Sequence, residues 1–294
     1  MSAKLAGRLR MRLRRLLESS GDGAGERRRA VSLTAELAGK PGRDAQREGR
    51  LLVWRESLGD GSWPRGEGAL LLGPEGAPSA ALRISEDAGV DASQLAFVDI
   101  ETCGLADLPV FLVGVLMLDD SGDGGWGWSI VQYLAPDASA EPEMLSRTAE
   151  LLARKRDWVS FNGRSFDIPR MRTRCRRHGV EWPECRSHQD LLHAVRRRFR
   201  GELPNCRLKT VESLLLGLER LPGDVPGREV PSRYYDYVRT GERRWLDPVI
   251  EHNRRDVAAL GALFLRLTRD AGGDPGERRE VSVREGAVGD SVDS

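Results

Sequence analysis

Three apolar stretches, LAFVDIE (95–101), PVFLVGVLML (109–118) and WSIVQYL (128–134), follow one another with only short turns between them. Each is rich in β-branched and aromatic residues and bounded by Gly, Pro or Asp, the pattern of a buried strand. Connections this short make consecutive strands antiparallel. The meander leads into EPEMLSRTAELLA, read as a helix, DWVSFN (157–162), read as a strand, and FDIPRMRTRCRRHG, read as a helix ending at Gly179. Such an order predicts an α/β fold, a mixed sheet flanked by helices. Later segments read as helical: DLLHAVRRRF, LKTVESLLLG and WLDPVIEHNRRDVAALGALFLRLTRD, where Val249, Val257, Leu260, Phe264 and Leu267 keep a helical period.

This core is expected to span 95–270. Residues 1–50 read as a basic amphipathic helix, with Leu5, Leu9, Leu13, Leu16 and Leu17 set among arginines, and then a flexible linker. Capping the fold, touching a membrane surface, holding nucleic acid and docking a partner are all open roles for that helix. Residues 51–94 read as a small β-rich lead-in, and 271–294 as a disordered acidic tail.

Composition narrows the class. The chain has 294 residues, 39% hydrophobic, with mean hydropathy −0.45 and no run approaching the ~18 apolar residues of a membrane span. Its opening segment lacks a secretory apolar core, and four scattered cysteines suit reduced thiols, so a cytoplasmic setting is expected. The net charge of +1 is a cancellation. Leu151 to Asp270 carries 26 Lys/Arg against 16 Asp/Glu, whereas Leu95 to Glu150 carries 1 against 10. An acidic centre beside a basic surface suits an enzyme that holds cations and grips a polyphosphate; solvated arginines on helices are the plainer explanation.

Within the first strand, FVDIETCGL places Asp99 and Glu101 at i and i+2, on one face. Buried like charges that close repel unless a cation lies between them. The second acidic feature, Asp167 in SFNGRSFDIPRM, begins a helix, where it is open to both an N-cap and a ligand role. A third feature, EHNRRDV, sets His252 and Asp256 one turn apart on the last helix.

In this order the three stretches resemble the signature motifs of the RNase H-like DEDD exonucleases, with the closest match to the YprB-type RNase H-like domain. HQDLLHAVRRRF (188–199), CRLKTVESLLLG (206–217) and the run from PGREVPSRYYDYVRTG into the last helix agree with that subgroup, so the resemblance covers about Leu95 to Leu267. It implies an RNase H-like mixed sheet in which Asp99, Glu101, Asp167 and Asp256 bind two Mg²⁺ or Mn²⁺ ions. It also implies 3′→5′ hydrolysis of DNA or RNA, with a single-stranded 3′ end as the expected partner. Hard divalent cations do take oxygen ligands, and a pair of them can clamp an in-line phosphodiester hydrolysis.

One departure concerns His252. HNRRD puts a histidine at the spacing of the tyrosine subclass, leaving open a general base, a hydrogen-bonding support and an exposed helix residue. Substrate contacts are expected from Asn162, Arg164 and Arg170. The alternative reading is a catalytically weak RNase H-like module that binds nucleic acid or a partner. The Cys175/His178 and Cys185/His188 pairs have zinc-like spacing but no knuckle-like turn. DDSGDGG (119–125) lacks the closing Glu of a calcium loop and reads as a hairpin turn. Asp190 reads as a helix cap or a support to the acids, and Cys103 as a packing residue.

Overall fold

The computed structural model describes residues 45–58, 91–104, 107–120, 126–218, 220 and 223–271. The expected amphipathic helix at the start, most of the lead-in and the acidic tail lie outside the described residues.

Seven strands form one sheet in the order β1-β2-β5-β4-β3-β6-β7. The three apolar stretches are its centre: β3 (Leu95–Thr102), β4 (Val110–Asp120) and β5 (Trp126–Leu134), paired antiparallel. β6 (Asp157–Ser160) joins β3 in parallel after a helical crossover, and β7 (Ser187–Asp190) joins β6 likewise. β1 (Gln46–Glu48) and β2 (Leu51–Ser57) form a hairpin whose second strand pairs with β5. Residues 46–48 fall inside the stretch read as a linker. Strand β1 is short, polar and at the sheet edge, so it lacks the alternation that marks a strand in sequence.

Among the described residues six α-helices follow in sequence order: α1 (Glu141–Ala153), α2 (Asp167–His178), α3 (Leu191–Arg198), α4 (Leu208–Val211), α5 (Val230–Thr240) and α6 (Asp247–Ala271). The single turn of α4 widens into a π-type turn over Glu212–Leu216. Covering a sheet on both faces requires strands that are apolar on both sides, which is why β3 and β4 read as continuous runs.

The pleat then decides what each face receives. On β3, Ala96, Val98 and Ile100 pack with Met144, Leu145, Ile168 and Met171 of α1 and α2. Leu95 and Phe97 face the other way, toward Leu191 and Val195 of α3 and Val257, Leu260 and Phe264 of α6. Phe97 meets Phe264 edge to face, with centroids 5.4 Å apart. A third cluster closes the end of the sheet with α5 and the start of α6, where Phe111 stacks on Tyr234. Period two carries the Leu95–Phe97 face on to Asp99 and Glu101, and so points both acids at α6.

Candidate active site

Opposite Asp99 in the β3–β4 register stands Gly114, and opposite Gly114 on β5 stands Gln132. Above this row lies Asn253 of α6, fully buried. A Cβ on Gly114 would fall 2.2 Å from Asn253 Oδ1, so a glycine is what lets α6 come this close to the strand. Gln132 Nε2 donates to Asn253 Oδ1 at 2.8 Å and to the carbonyl of Ile250 at 2.9 Å. Asn253 Nδ2 in turn donates to Asp99 Oδ2 at 2.8 Å and more loosely to the Asp99 carbonyl. The first amide fixes which way the second one points. Asp99 therefore has one oxygen held and the other uncommitted.

Asp167 arrives from the opposite side. It is the first residue of α2, one place inside the cap position held by Phe166, so its carboxylate is not the N-cap. The loop that delivers it, Asn162–Gly163–Arg164, is built around Asp190. Asp190 accepts the backbone N–H groups of Asn162 and Arg164 at 2.8 and 3.1 Å and also that of Leu192, where it caps α3. Asn162 adopts left-handed backbone at φ 66°, a conformation Asn tolerates better than most residues. At Gly163 a Cβ would strike Ser160 Oγ at 2.2 Å and lie 3.1 Å from Asp167 Oδ2. The loop is thus fixed against both β6 and the acid.

His252 and Asp256 project from α6, one turn apart. His252 Nδ1 lies 2.9 Å from Asp224 Oδ1, leaving Nε2 turned toward Asp256 Oδ2 at 3.6 Å and Glu101 Oε1 at 3.8 Å. Asp256 Oδ1 accepts from Arg220 Nη2 at 2.6 Å. Arg220 also meets Glu212 through two hydrogen bonds and Asp224 through one.

The electrostatics follow from this crowding. Burial pushes the Asp99 carboxyl well above its ordinary range, and the charges of Asp256, Glu101 and Asp167 push it further. Burial, Asp256 and Asp167 do the same to Glu101. For Asp167 burial wins over its backbone hydrogen bonds and lifts the value to about 7. Burial disfavours the imidazolium of His252, but the Asp224 hydrogen bond and the Asp256 charge outweigh it and raise the pKa. That same bond and the Arg220 charge overcome burial at Asp224 and hold it at about 2.

Chain segments far apart in sequence thus bring Asp99, Glu101, Asp167, His252 and Asp256 together. The expected substrate contacts lie on the loop before α2 and its first turns. Arg164 is exposed and its guanidinium rests on the His188 carbonyl, while Arg170 lies over the Phe166 ring at 5.2 Å. Four participants were not singled out from the sequence: Asn253, Arg220, Asp224 and Glu212. The spacing of Arg220 and Asp224, opposite charges four apart in LERLPGD, was the one available signal.

Among the described residues no group of three or more His, Cys, Asp and Glu side chains already converges to hold a metal ion. Three acids accept from protein donors, Asp99 from Asn253, Asp256 from Arg220 and Asp167 from backbone N–H groups. In charge and chemistry the donor set still fits a hard cation. It is all oxygen, and burial followed by the repulsion of neighbouring acids pushes Asp99, Glu101 and Asp167 up. The Cys-x-x-His pairs do not assemble: Cys175 is buried, His178 binds Glu141 and His188 meets Ser160 Oγ. No helix among the described residues is long and apolar enough to cross a membrane.

Parts of this chain are similar to known proteins. A solved family B DNA polymerase from the hyperthermophilic archaeon Pyrobaculum calidifontis overlaps 57% of this chain and 24% of its own, at 16% identity and a TM-score of 0.45. The uncharacterized protein YprB of Bacillus subtilis (strain 168) is 31% identical over 188 residues, 62% of this chain. The match covers 43% of YprB, so this chain spans less than half of that relative. The RNase H superfamily matches residues 96–268, the sheet from β3 onward together with its helices. With that span covered, the chain belongs to the RNase H superfamily, and its domain is of the YprB type.

Proposed function

We propose that this protein is a metal-dependent nuclease that hydrolyses nucleic-acid phosphodiesters, as a 3′→5′ exonuclease of the DEDD type. The observation that carries the reading is the unbalanced cleft. Strand β3, α2 and α6 aim four carboxylates at one another, and burial together with the neighbouring acids pushes Asp99, Glu101 and Asp167 up. An arrangement so costly without a cation has a ready use with one.

Asp99, Glu101, Asp167 and Asp256 would hold two Mg²⁺ or Mn²⁺ ions. Bound there, the ions would supply positive charge to the attacking and leaving oxygens of an in-line displacement. The chain's own residues do the rest. Asn253 and Gln132 fix the rotamer of Asp99, and the Asp190-held loop fixes Asp167. Asp224 holds the Nδ1 edge of His252, so Nε2 faces the acids. The Asp224 hydrogen bond and the Asp256 charge favour the protonated ring of His252, whereas positive charge held beside it by the acids would favour the neutral ring, whose Nε2 can accept a proton. Asn162, Arg164 and Arg170 belong to the loop before α2 and its first turn, the segment that carries Asp167, and their side chains are of the type that contacts a phosphate backbone.

The test is direct. End-labelled single- and double-stranded DNA and RNA are incubated with the protein in Mg²⁺, Mn²⁺ or EDTA. Metal-dependent laddering from the 3′ end, lost in Asp99→Ala and Asp256→Asn, is the expected result. A folded protein that cuts none of these substrates would refute the proposal. One observation favours the rival, a module that binds without cutting: Asp256 is already neutralised by Arg220. Binding of the same nucleic acids at equal strength in EDTA and Mg²⁺, without cleavage, would select that rival.

A further inference from the structure

Helix α3 divides sharply into two faces. Leu191, Leu192, Ala194 and Val195 are buried, and three of them join the core cluster of Phe97 and α6. His193, Arg196 and Arg197 are exposed at i, i+3 and i+4, one outer stripe, and the exposed Arg200 follows just past the helix end. From Leu191 to Gly201 the chain carries no acid. A cation in the last turn suits the helix dipole, but four arginines within 196–200 exceed what one helix end can use, because like charges this close repel.

A second arginine-rich surface, along α5 and the turn into α6, is built differently. There Arg228 pairs with Glu229, Arg239 with Asp236, Arg243 with Asp247 and Arg244 with Glu242. Such arginines are a solvated, self-neutralised surface. Among the described residues no acid forms an ion pair with Arg196, Arg197 or Arg200. Their field is left for an anion from outside the molecule.

The stripe begins where the loop carrying Asp167 is anchored. Asp190 caps α3 with Oδ1 and takes the Arg164 N–H on Oδ2, and His193 Nε2 lies 4.0 Å from that same Oδ2. From there α3 leads away from Asp190, and at ~1.5 Å per residue it carries the stripe about 10 Å onward. We propose that the face of α3 formed by His193, Arg196, Arg197 and Arg200 is a docking surface for the phosphate backbone of a nucleic acid, holding the part of the strand that lies beyond the acidic cleft. The guanidinium fork fits phosphate and its charge does not titrate away. A backbone grip of this kind positions a strand without reading its bases, and it selects a polynucleotide over a short fragment. The inference goes beyond the nuclease reading and does not rest on it, since a strand is gripped whether or not it is cut.

The experiment is fluorescence anisotropy of the full chain in EDTA, over a range of NaCl, with labelled oligothymidylate DNA and oligouridylate RNA. Strands of about 30 nucleotides should bind at least roughly tenfold more tightly than strands of about 4, which are too short to reach from the cleft along α3. The triple variant Arg196→Gln, Arg197→Gln, Arg200→Gln should weaken binding of the long strand by about tenfold or more. It should also flatten the slope of log Kd against log[NaCl] by about 2, at roughly 0.7 for each phosphate contact on a single strand. All three side chains are exposed, and an unchanged Tm verifies that the variant folds. Arg239→Gln, Arg243→Gln, Arg244→Gln removes the same charge from the self-neutralised surface and should leave both affinity and slope nearly as they were. Equal losses in the two triple variants, an unchanged slope in the first, or no binding of long strands by the folded chain overturn the proposal. A chain that grips long strands through α3 and cuts nothing in Mg²⁺ or Mn²⁺ loses the nuclease reading alone; one that cuts them while ignoring the α3 substitutions loses this inference alone.

Discussion

Two buried clusters of charge lie on opposite faces of the same sheet, and they are built to opposite rules. Between α1 and α2, Glu141 receives a two-point contact from Arg174, the backbone N–H of Val110 and His178 Nε2 at 3.1 Å. Every oxygen has a donor, and these donors outweigh burial and hold the carboxyl below its ordinary range. Arg174 also reaches the Asp107 carbonyl, tying the β3–β4 connection to α2. Under α6 the carboxylates outnumber their donors and their pKa values go up. A balanced cluster holds the fold together; an unbalanced one holds free energy that a cation can release.

Breaking the balanced cluster should have the largest effect on stability. Arg174→Met leaves Glu141 buried without its guanidinium partner, with only the Val110 N–H and His178 beside it, and urea unfolding should show a loss of about 3–5 kcal/mol. Metal binding in any surviving folded fraction should be unchanged. Next in size is the amide row. Gln132→Met removes the donor that orients Asn253, so it should cost about 1–3 kcal/mol in urea unfolding and weaken the Mn²⁺-induced rise in Tm. Relieving the unbalanced cluster should act in the reverse sense. Asp99→Asn keeps an acceptor for Asn253 and removes one of the crowded charges; in EDTA it should gain roughly 0.5–2 kcal/mol while losing the Mn²⁺ response.

The smallest effect is the pH trend, because the clusters oppose each other. Asp167 has its folded pKa raised from 3.8 to about 7, so its contribution to stability is present at low pH and lost as pH rises through 7. Glu141 has its pKa lowered, so its contribution is present above 4.5 and lost as pH falls. Thermal melts in EDTA should therefore decline from pH 5 to pH 8, and saturating Mn²⁺, which binds the ionised acids, should flatten or reverse the decline. A decline that persists unchanged in Mn²⁺ would erase the distinction between the clusters.

The amino-acid sequence reveals most where a residue's surroundings are local. The meander, the helix EPEMLSRTAELLA and the stop of α2 at Gly179 follow from period and turn chemistry, and the structure has them within a residue or two. Asp99 and Glu101 stand out because charge interrupts an apolar strand. Asn253 does not stand out, because its meaning depends on Gly114 and Gln132, which meet it only through sheet register. Arg220 and Asp224 sit in loop-like sequence, Glu212 is one polar residue in a stretch read only as a helix, and the contact of Arg220 with Asp256 spans 36 residues. Strand β1 was equally hidden, since an edge strand of three polar residues has no pattern to read.

The bond from Asn253 to Asp99 crosses 154 residues. Its consequence concerns time. Strand β3 and the meander consist of neighbours in sequence and can pair early, but α6 must travel back over the sheet before Asp99 is oriented or Asp256 arrives. Chain growth on the ribosome runs in the same direction. A half-made chain can carry the whole central sheet and still lack the helix that completes the acids, so the cleft exists only after the sheet that supports it.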